Sequence, residues 1–371
     1  MTSNKKNTIL VIRWIVGLLF IFSGLVKAND PLGLSYKMQE FFEAWNWYAL
    51  NNYTLVFSLV MNVFEVLAGV AVIIGWRMKL FSWLLLLLII FFAFLTGYAW
   101  LSGKIKTCGC FGDCLPLTPV ESFTKDLILF VLILILFINK NKIFTSIKPF
   151  AAIFLLILCI AAVSFLQGYV MKHLPIVDCL PYKKGNNIVQ EMQPPPNAVQ
   201  DSVVMIFKYR KDGKVREYTA ENLPADLDSS YEFIDRTDKV VRQGNATPPI
   251  ADFALFTLDN TDTSDALMHS NDKYVMLFAK DFSTFDKWMN DDFKNYMMQL
   301  QQKNIHFYIV TADKQNAEKI VGSLPADILL CDATVIKTAA RVNPTYFVMH
   351  GADILDKFSY VDLKKHMQVV Q

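Results

Sequence analysis

Apolar positions are distributed along this chain in two different ways. Through the first 170 residues they run in nearly unbroken blocks, at about 9–26, 54–74, 80–100, 119–138 and 150–167, each long enough to read as a membrane-spanning helix. Farther on they come in shorter groups, separated by charged turns. After a connector at 185–200 that contains Pro194-Pro195-Pro196, residues 203–209 and 215–219 flank Asp212-Gly213 and predict a β-hairpin. A further β-rich piece covers 231–241, and Pro248-Pro249 marks a boundary. From about 250 the pattern predicts a strand at 274–279, a helix at 285–303, a strand at 306–311, a helix at 314–323, a short strand at 327–330, and strands at 346–350 and 353–358.

The fourth apolar block shows how sequence sets a helix start. Residues 127–138 make a run of only twelve, about 18 Å at 1.5 Å per residue, against a hydrocarbon core of about 30 Å. Upstream, Thr118-Pro119-Val120-Glu121 matches a capping box, with Pro119 at the first helical position. The helix therefore starts near Pro119 and carries Lys125 and Asp126 with it. Between the first two blocks, Phe41, Phe42, Glu43, Trp45 and Trp47 mix aromatic and charged residues, as an amphipathic helix at a membrane interface does.

Charge adds an orientation. Lys5 and Lys6, Arg77 and Lys79, and Lys140, Lys142 and Lys148 flank alternate ends of the blocks and define one cytoplasmic face. The opposite loops hold Lys37, Lys104 and Lys106, so everything after about residue 168 is expected outside, in the periplasm of a bacterium. Val26-Lys27-Ala28 would pass as a signal cleavage site, but the run before it is long for a signal core and four more follow, which argues for a retained span. Residues 1–169 carry 13 Lys+Arg against 7 Asp+Glu and the remainder 23 against 27, so the positive surplus belongs to membrane topology, and no basic patch points to nucleic acid.

Three of the six cysteines fall within seven residues, Cys108-Gly109-Cys110-Phe111-Gly112-Asp113-Cys114, between the third and fourth blocks. Outside the membrane such a cluster supports thiol–disulfide exchange, a structural disulfide or a metal site. A Cys108–Cys110 bond would close a very small ring that is easy to reduce and suited to a disulfide donor, and Gly109 supplies the backbone freedom for it. Cys114 or Cys179 could resolve such a pair, or staple Cys108 or Cys110 to hold the helix ends. Zinc would need a fourth ligand, and the one-residue spacing is poor for a knuckle. Cys159 reads as a small apolar residue within the fifth block, and Cys331 as a buried, inert thiol.

Arg13, Glu65 and Asp126 lie inside apolar blocks, where ionisable groups turn inward. Ion pairing that fixes helix register suits Arg13 and Glu65; a polar pocket or proton path is the other reading. Asp126 stands apart because it should lie beneath the thiols. The chain has no phosphate loop, dinucleotide fingerprint, His-Glu-x-x-His helix or Ser/His/Asp spacing, which leaves hydrolase and nucleotide-dependent chemistry unsupported.

Arg13-Trp14, the stretch Gly17 to Lys27, Glu65 and Gly69 resemble DoxX-type membrane proteins, and Cys108-Gly109-Cys110-Phe111-Gly112 narrows the resemblance to the MauE branch over about 8–140. The resemblance implies assistance to disulfide formation in periplasmic partners, mapped onto Cys108 and Cys110. Residues 250–365, with Asn343-Pro344-Thr345 before a terminal hairpin, resemble a thioredoxin fold of the TlpA type with Pro344 as its cis-proline. Thioredoxins place C-x-x-C after the first central strand; here that stretch is Lys280-Asp281-Phe282-Ser283-Thr284, so exchange at that place is excluded. Arg341 and Lys337 flank the proline and suit a core-edge salt bridge or a partner contact.

The expectation is a bundle of about five membrane helices (1–168), a linker with a small β-rich subdomain (169–249), and an external α/β thioredoxin-like domain (250–371). Its function would be periplasmic thiol redox or maturation of an envelope protein partner, with Cys108, Cys110, Cys114, Cys179 and Asp126 as the site and, by analogy with membrane thiol oxidases, a quinone as electron acceptor. The alternative is a non-catalytic scaffold whose degenerate domain binds a partner.

Overall fold

The computed structural model describes residues 3–367 except 106, 108, 200, 201, 225, 226, 243, 245, 322 and 323. The chain divides into two compact units, one formed by Met1–Asn186 with Ala254–Gln371 and the other by Asn187–Phe253. The stretch 169–186, grouped by sequence with the linker, thus lies in the first unit.

Six long helices open the first unit: α1 Ser3–Asn29, α2 Pro31–Ala44, α3 Thr54–Ile74, α4 Met78–Ser102, α5 Pro119–Ile138 and α6 Pro149–His173. Four helical segments, Lys6–Asn29, Tyr48–Ile74, Met78–Ser102 and Pro149–His173, are long and apolar enough to cross a membrane. α5 is as apolar on average but is set apart from them by charge, since Glu121, Lys125 and Asp126 all fall in its first half. Its start is the one the sequence dictates. Thr118 Oγ1 accepts from Glu121 N while the Glu121 carboxylate accepts from Thr118 N at 2.9 Å, closing the capping box on both sides. Leu129, Ile133 and Leu136 then join Val16, Val72, Leu85 and Ile89 in the bundle core.

α1 and α3 approach closely where glycines remove side chains. A Cβ placed on Gly69 would lie 2.6 Å from the Gly17 carbonyl oxygen, and one on Gly17 would lie 2.8 Å from the Gly69 carbonyl. Backbone on the facing helix cannot move aside as a side-chain tip can. Gly69→Ala should therefore part the two helices and destabilise the fold by about 3 kcal/mol, the upper end of overpacking, read as a lower melting temperature in detergent. An unchanged melt would show that the helices separate freely.

Among the described residues Arg13 has no carboxylate partner. Its Nε donates to Val72 O at 3.0 Å and its Nη2 to Ile73 O at 2.6 Å, so it caps the last turn of α3, where Gly75 leaves the helix at φ 75°. A cation on the free carbonyls of a helix C-terminus meets both their hydrogen-bonding need and the negative end of the dipole.

The second unit contains an antiparallel sheet ordered β2-β1-β3, from β1 Ser202–Lys211, β2 Lys214–Thr219 and β3 Glu232–Arg242. Its first turn is the expected Asp-Gly pair, both with positive φ, the backbone a two-residue hairpin needs.

Residues 254–367 return to the first unit and build a five-stranded sheet from β4 Lys273–Phe278, β5 His306–Thr311, β6 Asp327–Leu330, β7 Thr345–His350 and β8 Asp353–Ser359. The order is β6-β5-β4-β7-β8, with β4, β5 and β6 parallel and β7 and β8 antiparallel to their neighbours. Tyr274 to Phe278 are all buried, as befits a central strand covered on both faces. The helix expected at 285–303 is broken into Phe285–Trp288 and Asp291–Gln302, because Asn290 accepts from Phe293 N and starts a new helix. A helix at Ala333–Ala339, capped by Asp332, was not visible in the apolar pattern. The Asn343–Pro344 peptide is cis.

A cysteine loop above an apolar cavity

α4 ends at Gly103 with φ 63°, and the chain then crosses to α5 through the cysteine loop, in which Gly109 and Gly112 also have positive φ. Cys108 lies outside the described residues. Cys110 carries a free thiol, partly buried, beside the upper turns of α1 and α5. Burial pushes that thiol above its ordinary value, and the Lys125 ammonium works against the burial. The fully buried Ser122 hydroxyl, near the sulfur, favours the thiolate.

Two ion pairs, one buried and one half-buried, stand below the loop. Lys27 of α1 pairs with Glu65 of α3, and Lys125 Nζ lies 2.6 Å from Asp126 Oδ1. Ser23 Oγ, one turn from Lys27, is 2.9 Å from Glu65 Oε2 and 3.1 Å from the Cys110 carbonyl, and it ties the first pair to the loop. Thr96 Oγ1 lies 3.1 Å from Asp126 Oδ2. Ser23, Lys27, Thr96, Cys110, Lys125 and Asp126 form the polar end of a cavity of about 700 Å³ whose walls are largely apolar, among them Phe20, Phe41, Trp45, Phe64, Phe92 and Leu129. The structure therefore brings Cys110 and Asp126 to one chamber, together with Lys27, Lys125 and Ser23, which sequence reasoning did not select, and sets Glu65 behind its wall as the partner of Lys27 and Ser23. Lys27 carried a usable signal: a lysine inside a span needs a partner within it.

Cys114 and Cys179 are joined to each other in a disulfide across 65 residues. The sequence reading had offered each as a partner for Cys108 or Cys110; the bond instead ties the cysteine loop to the segment after α6. Cys331 is buried, and burial with Asp332 beside it pushes its thiol up to about 12. Among the described residues no group of three or more His, Cys, Asp or Glu is placed to hold a metal ion.

A second polar cluster adjoins the loop. Arg341 Nε lies 2.8 Å from Asp30 Oδ2, and its Nη2 lies 2.7 Å from Asp113 Oδ2. Lys280 Nζ donates to Tyr36 Oη at 2.7 Å, and Lys280, Lys337 and Arg341 all approach the Tyr36 ring. Burial, reinforced by Arg341, lowers Lys280 to about 8. An unfolded lysine keeps its proton to about 10.5. Between about pH 8 and 10.5 the unfolded chain binds the extra proton, so stability from this group rises with pH across that window. The melting temperature of the wild type should climb from pH 7 to 9.5 relative to Lys280→Met; parallel curves would remove Lys280 as the titrating group.

With the loop, the ion pairs and the cavity described, the comparisons gain a structural meaning. Residues 5–139 match the family described as methylamine utilisation protein MauE. That match takes in α1 to α5 and the whole cysteine loop as far as Cys114. Residues 203–243, the three-stranded sheet, match a domain of unknown function, DUF8463. The chain is 28% identical over 137 residues to "Protein TlpB" of Flavobacterium psychrophilum, covering 35% of this chain and 36% of that protein. The chain thus spans about a third of the length of the curated relative it matches. No solved structure matches.

Proposed function

We propose that this is a membrane thiol–disulfide oxidoreductase that oxidises a dithiol in an envelope protein and delivers the electrons to a quinone. The observation that carries this reading is the position of the free Cys110 thiol at the polar end of a 700 Å³ apolar cavity. The membrane redox association of the MauE family and the similarity to a TlpB protein support it.

In this reading α5 is a fifth span, its charged first half shielded by the bundle, and the charge pattern puts the cysteine loop and residue 168 onward in the periplasm, with the N-terminus cytoplasmic. A thiolate of the partner attacks the Cys108–Cys110 disulfide and forms a mixed disulfide. The partner's second thiolate displaces it, leaving the partner oxidised and Cys108 and Cys110 reduced. Lys27, Lys125, Ser23 and Thr96 would hold a quinone that accepts two electrons and two protons when bound, and loss of these from Cys108 and Cys110 would restore their bond. Aromatic walls suit its ring and tail, and Lys27, Lys125, Ser23 and Thr96 offer hydrogen bonds to its oxygens. Ser122 and Lys125 favour the Cys110 thiolate. The residues present fit such a group.

Residues 254–367 take the role of a thioredoxin-like domain of TlpA type, a reading supported by the strand order and by the cis peptide at Pro344. The cysteine-free 280–284 stretch denies that domain exchange chemistry of its own.

The test is an assay of the full chain in lipid nanodiscs with a reduced dithiol peptide and a short-chain ubiquinone. One quinol should form per peptide disulfide. No thiol-dependent quinol with either ubiquinone or menadione would sink the reading and leave a scaffold, which the Cys114–Cys179 staple and the ion pairs of Arg341 would serve equally well.

A further inference from the structure

The turn 280–284 and the loop 341–344 make one continuous surface. Lys280 N donates to Asn343 Oδ1 at 2.9 Å, Thr284 Oγ1 donates to Asn343 O at 3.2 Å, and Asn343 Nδ2 donates to Asp281 O at 3.1 Å. This surface is covered by the chain itself. Tyr36 of α2 takes the Lys280 ammonium, and Arg341, only 5% exposed, spans Asp30 at the α1–α2 junction and Asp113 in the cysteine loop while its Nη1 donates to Lys337 O at 2.8 Å. Burial alone would weaken the Arg341 charge, but Asp30 and Asp113 outweigh it and hold the guanidinium above its ordinary value.

Other contacts keep the surface seated. Lys357 Nζ pairs with Asp178 Oδ2 at 2.7 Å, next to Cys179. His173 at the end of α6 lies 2.8 Å from Asp362, and Ser359 donates to Lys172 O. Backbone bonds of 2.8 Å and 2.9 Å join Gly185 and Asn186 to Ile354 of β8. The fork of Arg341 differs from these in one respect: it alone reaches the cysteine loop, at the residue before Cys114 and three beyond Cys110.

We propose that residues 254–367 are a fixed cap on the cysteine loop, with Arg341 as the positioning residue that holds Asp113 and so keeps Cys110 turned into the cavity. The 280–284 and 341–344 surface is spent on this internal contact and does not receive the external partner, which reaches the loop from another side. The positional claim stands on geometry; its effect on turnover rests on the redox reading.

The experiment uses the full chain in native membranes with Cys108→Ser, so that Cys110 stays a thiol, and follows its labelling by a membrane-impermeant maleimide through mass spectrometry. Asp113→Asn removes only the loop end of the fork at a 40% exposed side chain, and Arg341→Gln removes the whole of it. Both should speed Cys110 labelling at least tenfold while buried Cys331, in the cap itself, keeps its slow rate. Arg341→Lys, with one charge and no fork, should fall between. Unchanged Cys110 labelling in Asp113→Asn overturns the proposal, and so does equal acceleration at Cys331, which would mean loss of the cap's fold. With Cys108 restored, the same substitutions should lower kcat for a small dithiol and leave its KM. Wild-type protein inactive towards quinone would sink the redox reading and leave the labelling result standing.

Discussion

Cys110→Ser should abolish thiol-dependent quinone reduction, by on the order of 10³-fold or more, the scale on which loss of an essential nucleophile is felt. The fold should survive. Cys110 forms no disulfide in the structure, serine has nearly its shape, and the surrounding Ser122 and Lys125 can bond a hydroxyl as well as a thiol. The measurement pairs turnover in nanodiscs with a melting curve. Loss of turnover at an unchanged melting temperature assigns Cys110 to the chemistry; retained turnover removes it. Cys114→Ser is the necessary companion. It breaks the bond to Cys179, so it should lower stability while leaving the two-residue-spaced pair chemically intact.

The second large effect concerns stability. Glu65 is fully buried and Lys27 is 4% exposed at the side chain, so each charge depends on the other. Glu65→Ala leaves the ammonium in the bundle without its carboxylate and leaves Ser23 only the Cys110 carbonyl as acceptor. A destabilisation of about 3–5 kcal/mol is expected, as for other buried pairs broken on one side. Replacing both partners, Lys27→Met with Glu65→Leu, should recover most of that loss, because two well-packed apolar side chains remove the desolvation penalty along with the attraction. A double-mutant cycle from denaturant titrations in detergent gives the coupling directly. If Glu65→Ala costs less than about 1 kcal/mol, water reaches the pair and the chamber is wetter than its aromatic walls imply.

Local chemistry was legible in the sequence and long-range pairing was not. The start of α5 at Pro119, the Asp212-Gly213 hairpin, and the strands of the 273–359 sheet all follow from spacing, caps and turn residues, which act within a few positions. Glu65 and Asp126 could be picked out because a carboxylate inside an apolar block is conspicuous. Their partners were not chosen, since Lys27 sits near the end of its block and Lys125 had been read only as part of the helix start. The pairing of Cys114 with Cys179 depends on the return of α6 along α3, where Asn62 donates to Gln167, a fact of assembly that no local pattern encodes. Asp30, Tyr36 and Asp113 look like ordinary loop and interface residues until Arg341 is brought to them across more than 200 positions. The break at Asn290 was hidden because helical spacing resumes almost in phase on both sides of it.

The Cys114–Cys179 bond also has a meaning in time. Cys114 leaves the ribosome before α5, and Cys179 only after α6, so the covalent ring encloses both helices. It can close only after both helices have been made. Closure of this one bond therefore records that synthesis has passed α6 and that its far end has come back to the cysteine loop; until then Cys114 and Cys179 remain separate thiols.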